Sequence, residues 1–445
     1  MKKVLISLGI IGFISSLALT VTVISEPNLA NIFKTNIKAT LTESIQTATV
    51  KDPDKPYKET SENYLQAANE FLSKKDYQNA LSNINTAYNL NPSEDNLMLY
   101  TLTLIQNKNF EEAQNMLASS SPKNQTAFFY KGVIFVYEGK DYEAKESFKT
   151  ALSLSGKIEP ALIQNFITAY SSFESQMDGQ RIYLNAMLAK ASIDAKFYSV
   201  AEVLSKQILE EKADYRDVWM LLGYSFLKTL KYAEAEDAFL KAKSIDQVKP
   251  EIHYFIGVAR YENGDYLGAT EELQLSLLYG FEPKAEVYKR IAESQKAAGN
   301  AEEALSAYEY LLNIDQSSLG TFEDAVKVAI NDVKDFGRAL TLATLATTAF
   351  PSSEDAWNLL TEANLAAGDT QKATEANDTA LGINPFYAEG YYQKGLILEA
   401  KNEAENAKAA YKKAYELASE SGKTTDVDLK NQAATKYNSL IIPTK

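Results

Sequence analysis

From Ser61 onward the chain alternates apolar and polar positions with a helical period, and the alternation itself recurs. An alanine just past a short polar turn marks each recurrence: Ala80, Ala113, Ala144, Ala201, Ala235, Ala269, Ala304, Ala339, Ala373 and Ala407. Successive gaps are 33, 31, 57, 34, 34, 35, 35, 34 and 34 residues. A period near 34 predicts paired helices stacked into an array, because one such unit cannot bury its apolar face alone. Within Arg216–Lys249, Trp219, Leu222, Gly223 and Phe226 fall three or four residues apart and share one face of a first helix, while Ala235, Phe239 and Ala242 do the same on a second. Gly223 and Ala235 let the two backbones approach, and Trp219 and Phe239 supply the large apolar surface between them. Gly264-Asp265 and Gly299-Asn300 place glycine where a left-handed helix end is needed, followed by a capping side chain. Asn300 with Glu303 has the spacing of a capping box.

These residues resemble the tetratricopeptide repeat family, whose pattern reads here as Trp357, Leu360, Ala373, Ala380 and Pro385 in one copy and as Tyr64, Ala80, Ala87 and Pro92 in another. Copies start near Ser61, Glu94, Gln125, Ile182, Arg216, Pro250, Ala285, Gly320, Glu354 and Ala388, over about four-fifths of the chain. The resemblance implies an all-α, right-handed superhelical solenoid of about ten helix pairs with one irregular joint and a C-terminal capping helix. The copy from Gly320 departs from the pattern, with Glu323 and Lys327 where a bulky and a small residue are expected, and the copy from Ile182 is weaker still. In the 57-residue gap, Pro160–Glu174 can form an additional helix, followed by a loop at Met177, Asp178 and Gly179. The resulting division is 1–25 for a signal peptide or signal-anchor helix, 26–60 for a polar spacer, 61–157 for a first repeat block, 158–181 for the joint, 182–421 for a second block and 422–445 for a cap and tail, with Asp426–Leu440 as its helix. Solenoids need such a polar-faced cap at their ends.

In the resembled family the first helices line a groove that holds a protein or peptide partner. Carried onto this sequence, the groove positions are Phe129, Val133, Val136 and Tyr137 in one copy, Met220, Tyr224, Leu227 and Lys228 in a second, and Tyr254, Val258, Tyr261 and Glu262 in a third. Aromatic side chains at such positions are the residue types that anchor interfaces, unless the array buries them as additional core. The family's carboxylate clamp is not reproduced, since Lys289 is followed one turn later by Glu293, and Asn69 and Lys228 are isolated.

Composition narrows the function classes. A formal net charge of -14 opposes attraction to phosphate backbones, so nucleic acid is not expected as a partner. Without cysteine there are no disulfides, thiolate metal sites or lipidated cysteine. His253, the one histidine, occupies the bulky first-helix position of its copy and reads as a packed core side chain. Glu271-Glu272 and Glu302-Glu303 begin second helices and read as solvated charges that complement the helix dipole; Lys243 likewise reads as a side chain whose loss costs little. Asp52-Pro53-Asp54 starts like a calcium loop without its later ligands. No nucleophile, phosphate loop or metal motif is visible, so neither catalysis nor a cofactor is expected. At the N-terminus, Lys2 and Lys3 precede 21 uncharged residues, Val4–Ile24, which as a helix span about 31 Å, enough to cross a bilayer core. The lysines predict a cytoplasmic N-terminus and repeats on the far side, anchored to the membrane if the segment stays, or secreted if cleaved near Ala18 or Ser25. The acidic, Thr-rich stretch that follows, with Pro27, Pro53 and Pro56, reads as a spacer. The sequence thus predicts a non-catalytic scaffold for protein partners outside the cytoplasm, with a glycan-handling surface protein as the alternative.

Overall fold

A computed structural model describes residues 60–121, 123–175, 180–420 and 426–440. The expected membrane segment, most of the spacer and the loop at Met177, Asp178 and Gly179 lie outside the described residues. Among the described residues there are 22 α-helices, one π-helix and no strand. The chain forms two compact units, up to residue 177 and from residue 178.

The first unit holds three helix pairs, α1 (Ser61–Ser73) with α2 (Tyr77–Leu90), α3 (Glu94–Gln106) with α4 (Phe110–Leu117), and α5 (Gln125–Glu138) with α6 (Asp141–Ser153). The additional helix expected within the joint is α7 (Pro160–Glu174), with proline in its first turn, where no N–H is needed. Its buried residues Ile163, Phe166, Ala169 and Tyr170 form one stripe, and Phe166 stacks on Phe148 of α6 with centroids 4.4 Å apart. An unpaired helix with one apolar stripe can close the stack without needing a partner of its own.

In the second unit seven pairs follow in order: α8 (Arg181–Asp194) and α9 (Tyr198–Glu211), α10 (Arg216–Lys228) and α11 (Tyr232–Ile245), α12 (Pro250–Glu262) and α13 (Tyr266–Leu278), α14 (Lys284–Ala297) and α15 (Ala301–Ile314), α16 (Leu319–Lys327) and α17 (Phe336–Ala349), α18 (Glu354–Ala366) and α19 (Thr370–Ile383), α20 (Ala388–Ala400) and α21 (Ala404–Glu420). The last helix, α22 (Asp426–Ser439), buries Leu429 and Ala433, and its Lys436 donates to Glu399 Oε2 of α20 at 2.8 Å. Its remaining surface is largely solvated, as a cap requires.

One contact explains the period. Twelve residues before the marker alanine, nine copies carry a small buried residue: Ala68, Thr101, Gly132, Ala189, Gly223, Gly257, Ala292, Thr361 and Gly395. Where that residue is glycine, a side chain of the second helix fills the space that it leaves. A Cβ built on Gly223 would lie 2.5 Å from the buried Phe239 ring, and one on Gly395 would meet Tyr411 at 2.3 Å. Gly132 meets Phe148 and Gly257 meets Leu273 in the same way.

The ten turns inside the pairs share one geometry. Lys75, Lys108, Gly139, Lys196, Leu230, Gly264, Gly299, Lys334, Gly368 and Asn402 all have φ between 56° and 85°. In nine of these turns the next residue's N–H returns to the carbonyl five residues back, as Asp265 does to Arg260 at 2.9 Å, which ends the first helix by the Schellman arrangement. Six of the ten positions are not glycine, so packing, rather than local preference alone, holds those turns. Asp76, Asp265, Asp335 and Asp369 then cap the second helices through their carboxylates. Asn300 does not form the expected capping box; its amide donates to Gln295 Oε1 at 2.8 Å instead.

The copy from Gly320 is irregular for a definite reason. Its first helix continues as a π-helix, Val328–Val333, and the following turn closes six residues back, from Asp335 N–H to Ala329 O at 3.0 Å. A π-turn takes up one extra residue. The buried small position therefore shifts from exposed Lys327 to Val326, and the bulky position from Glu323 to Phe322, which is fully buried against Phe350.

Three substitutions test this account. Gly223→Ala should destabilise the second unit by about 1–3 kcal/mol through overpacking on Phe239, whereas Gly382→Ala, whose Cβ meets nothing within 4 Å, should gain about 0.5 kcal/mol. Leu230→Gly, at φ 63°, should stabilise by roughly 0.5–1 kcal/mol, the left-handed cost to leucine exceeding the entropy cost of glycine. Urea melts with an unchanged slope are the measurement.

Candidate functional site

The structure separates the sequence-predicted groove residues by burial. Phe129, Val133 and Val136 on α5 are buried, with the Phe129 ring 5.8 Å from both Phe148 and Phe166. Met220 and Leu227 on α10, and Tyr254 and Val258 on α12, are buried as well. The reason is that first helices of successive copies touch each other: α10 contacts α12 and α12 contacts α14, so part of the expected groove face is consumed between copies. Tyr254 stacks on Phe281 at 4.4 Å and donates to Glu286 Oε1 at 3.0 Å; burial, and then Glu286, push its hydroxyl pKa upward. Half-exposed are Tyr137, stacked on Phe110 at 3.7 Å, Tyr224, edge-on to Phe255 at 5.6 Å, and Tyr261, 5.5 Å from Tyr266. Lys228 lies over the Tyr224 ring at 5.4 Å, and Glu262 is exposed.

Further along the second unit the first helices carry a group of charged side chains. On α14, Arg290 lies between Glu286 Oε1 at 3.5 Å and Glu293 Oε2 at 3.4 Å. On α16, Lys327 pairs with Glu323, one helical turn away, and Asp324 accepts from Lys296 at 3.1 Å. On α18, Asn358 Nδ2 donates to Glu362 Oε1 at 2.9 Å, and Gln393 Nε2 of α20 donates to the same oxygen at 3.1 Å. Burial raises the carboxyl pKa of Glu293 against the opposing pull of Arg290, and that of Glu362 against the pull of Lys327. Lys289 and Glu293 were visible in the sequence as a break in the clamp pattern; Glu362 carried no comparable signal, because one of its two amide partners, Gln393, comes from the next copy.

A second polar cluster is structural. His253 takes the place that Trp219 and Trp357 hold in their copies, and Nε2 lies 2.8 Å from the Gln247 carbonyl, six residues back, as the indole N–H groups do to Ala213 and Pro351. Its Nδ1 lies 2.7 Å from Glu272 Oε2, and Lys243 Nζ donates to Glu272 Oε1 at 2.7 Å. Arg260 Nη1 lies 3.5 Å from the same oxygen. Glu272 is therefore not a solvated charge: it is 5% exposed, and Lys243 is its partner. The spacing Ala269, Glu272, Leu273, Ser276 places it on the buried stripe of α13, a signal that the pairing with Glu271 obscured. Burial opposes its ionisation, but the hydrogen bonds from Lys243 and His253 outweigh that and hold the carboxyl below its ordinary pKa. Among the described residues no group of three or more His, Cys, Asp or Glu could hold a metal ion, and no helix is long and apolar enough to cross a membrane.

Comparison with known proteins agrees with the repeat frame. A tetratricopeptide repeat model matches residues 217–249 and 388–421, and a second tetratricopeptide repeat model matches residues 332–388. The chain thus carries tetratricopeptide repeats in its second unit, and the matched stretches include the pair from Arg216 and the pair from Ala388. No curated protein matches the chain. Solved structures similar to it include YrrB, described as a TPR protein with an unusual peptide-binding site, at 17% identity over 44% of this chain and 97% of that one, with TM-score 0.36. A tetratricopeptide repeat protein from Parabacteroides merdae is 15% identical over 57% of this chain and 100% of that one, with TM-score 0.37. Yeast Tom70 is 12% identical over 86% of this chain and 95% of that one, with TM-score 0.30.

The buried cluster predicts a pH dependence. Glu272→Gln should lower stability by about 2 kcal/mol at neutral pH by removing charge-assisted hydrogen bonds. Because the folded-state pKa of Glu272 lies below its unfolded value of 4.5, the wild-type advantage is full above that value and fades as pH falls through the folded one. Melts of both proteins from neutral to acidic pH should converge at the acid end.

Proposed function

We propose that the chain is a non-catalytic scaffold that holds a protein or peptide partner against its first helices and stands on the extracytoplasmic side of a membrane. The observation that carries the binding reading is the half-exposed tyrosines Tyr224 and Tyr261, which lie on the first helices α10 and α12 of one unit. Tyrosine supplies large contact area at little entropic cost, and half-buried rings with solvent at one edge are typical anchors. Tyr137 offers the same feature in the first unit. The placement outside the cytoplasm is supported by Lys2 and Lys3 ahead of the uncharged Val4–Ile24.

Photocrosslinking in the native cell tests the first part. A benzophenone amino acid at position 224 or 261 should give adducts with a defined partner, while the same probe at Tyr142, 76% exposed on the second helix α6, should not. Alanine at both Tyr224 and Tyr261 should weaken capture of that partner about tenfold or more with little change in melting temperature. Phe129→Ala, by contrast, should cost about 3–5 kcal/mol of stability. Equal adducts from all three probe positions would remove the first-helix reading. For the placement, protease added to intact spheroplasts should digest the repeats; full protection would reverse the orientation.

A further inference from the structure

Among the charged first helices of the second unit, α18 holds a buried acceptor without a donor. Asn358 is 6% exposed, its amide nitrogen is committed to Glu362, and its Oδ1 has no hydrogen-bond partner. Glu362 receives only the neutral amides of Asn358 and Gln393, both on Oε1. Among the described residues no ammonium or guanidinium lies within ion-pair distance of it; Lys327, whose charge acts on it from farther off, pairs with Glu323. Two first helices earlier, on α14, Glu293 has one cation within ion-pair distance, Arg290 at 3.4 Å, which Glu286 shares. Asp324 on the intervening first helix adds another carboxylate. A buried acceptor without a donor is costly, and a carboxylate matched only by amides is undercompensated. A neutral donor would answer Asn358 and leave Glu362 as it is; a cationic N–H donor answers both.

We infer that the face from α14 to α18 binds an extended, basic segment of a partner protein, whose lysine or arginine side chains reach Glu293 at one end and the Asn358–Glu362 pair at the other. The inference rests on the reading of the first-helix face as the interaction surface and names the chemistry of what lies there. Neighbouring packed helices are about 8–10 Å apart, so two steps span roughly 20 Å, the reach of about six extended residues. The two cationic side chains should therefore be about six residues apart.

Fluorescence anisotropy with the full-length protein tests this, using fluorescein-labelled Gly/Ser peptides of about twelve residues that carry two arginines about six apart, two glutamates at the same places, or neither. The arginine peptide should bind about tenfold or more tighter than the neutral one. Glu293→Gln with Glu362→Gln should erase that advantage, while Glu111→Gln with Glu143→Gln, exposed on second helices of the first unit and equal in charge change, should leave it intact. If the Glu362 variant fails to fold by circular dichroism, Glu293→Gln alone should still lower the arginine preference severalfold. Equal binding of the three peptides, or equal loss in both double variants, would overturn the basic-segment inference. Crosslinks from positions 224 and 261 would then still uphold the scaffold. Absence of both peptide binding and crosslinks would overturn both.

Discussion

The structure depends on how closely the two helices of each pair can approach. Where a glycine faces an aromatic ring, as Gly223 faces Phe239 and Gly395 faces Tyr411, the ring lies against bare backbone. That contact fixes where along each helix the partner must cross, and so fixes the distance in sequence between the small residue and the marker alanine. Leu273 against Gly257 shows that the requirement is for shape rather than aromaticity. Once the pairs are set, stacking follows, since each pair leaves apolar surface that only the next can cover.

This constraint explains why so much of the fold was legible in the sequence. First helices begin at Ser61, Glu94, Gln125, Pro250 and Glu354, where the copies start, because small residues at fixed spacing leave a visible trace. The π-helix was not legible: its extra residue changes no residue type, and the even frame simply places Lys327 where Val326 belongs. The polar core at Glu272 was hidden for a different reason. Its partners Lys243 and His253 are remote in sequence, and a glutamate at a helix start has an adequate local explanation in the helix dipole.

The candidate site was legible in kind and less so in detail. Groove positions carried over by resemblance are positions on one helix, and they take no account of what the neighbouring first helix covers. Phe129 and Tyr254 therefore became core, while Tyr224 and Tyr261 kept a wet edge. The acidic row on α14, α16 and α18 arises only when several copies are brought side by side. Asp324 and Glu362 are unremarkable within their own helices, and Glu293 stood out only as a departure from the clamp pattern.

The π-helix at Val328–Val333 also bears on how such an array tolerates change. A residue added to an ordinary helix rotates everything beyond it by about 100°, which in a stacked protein would turn every later apolar stripe away from its neighbour. Here the widened turn takes up the rotation before Asp335 caps the next helix, and Ala339 returns to its usual place. Length variation is thereby confined to one helix. Beyond it the marker alanines keep steps of 34 residues, from Ala339 to Ala373 to Ala407.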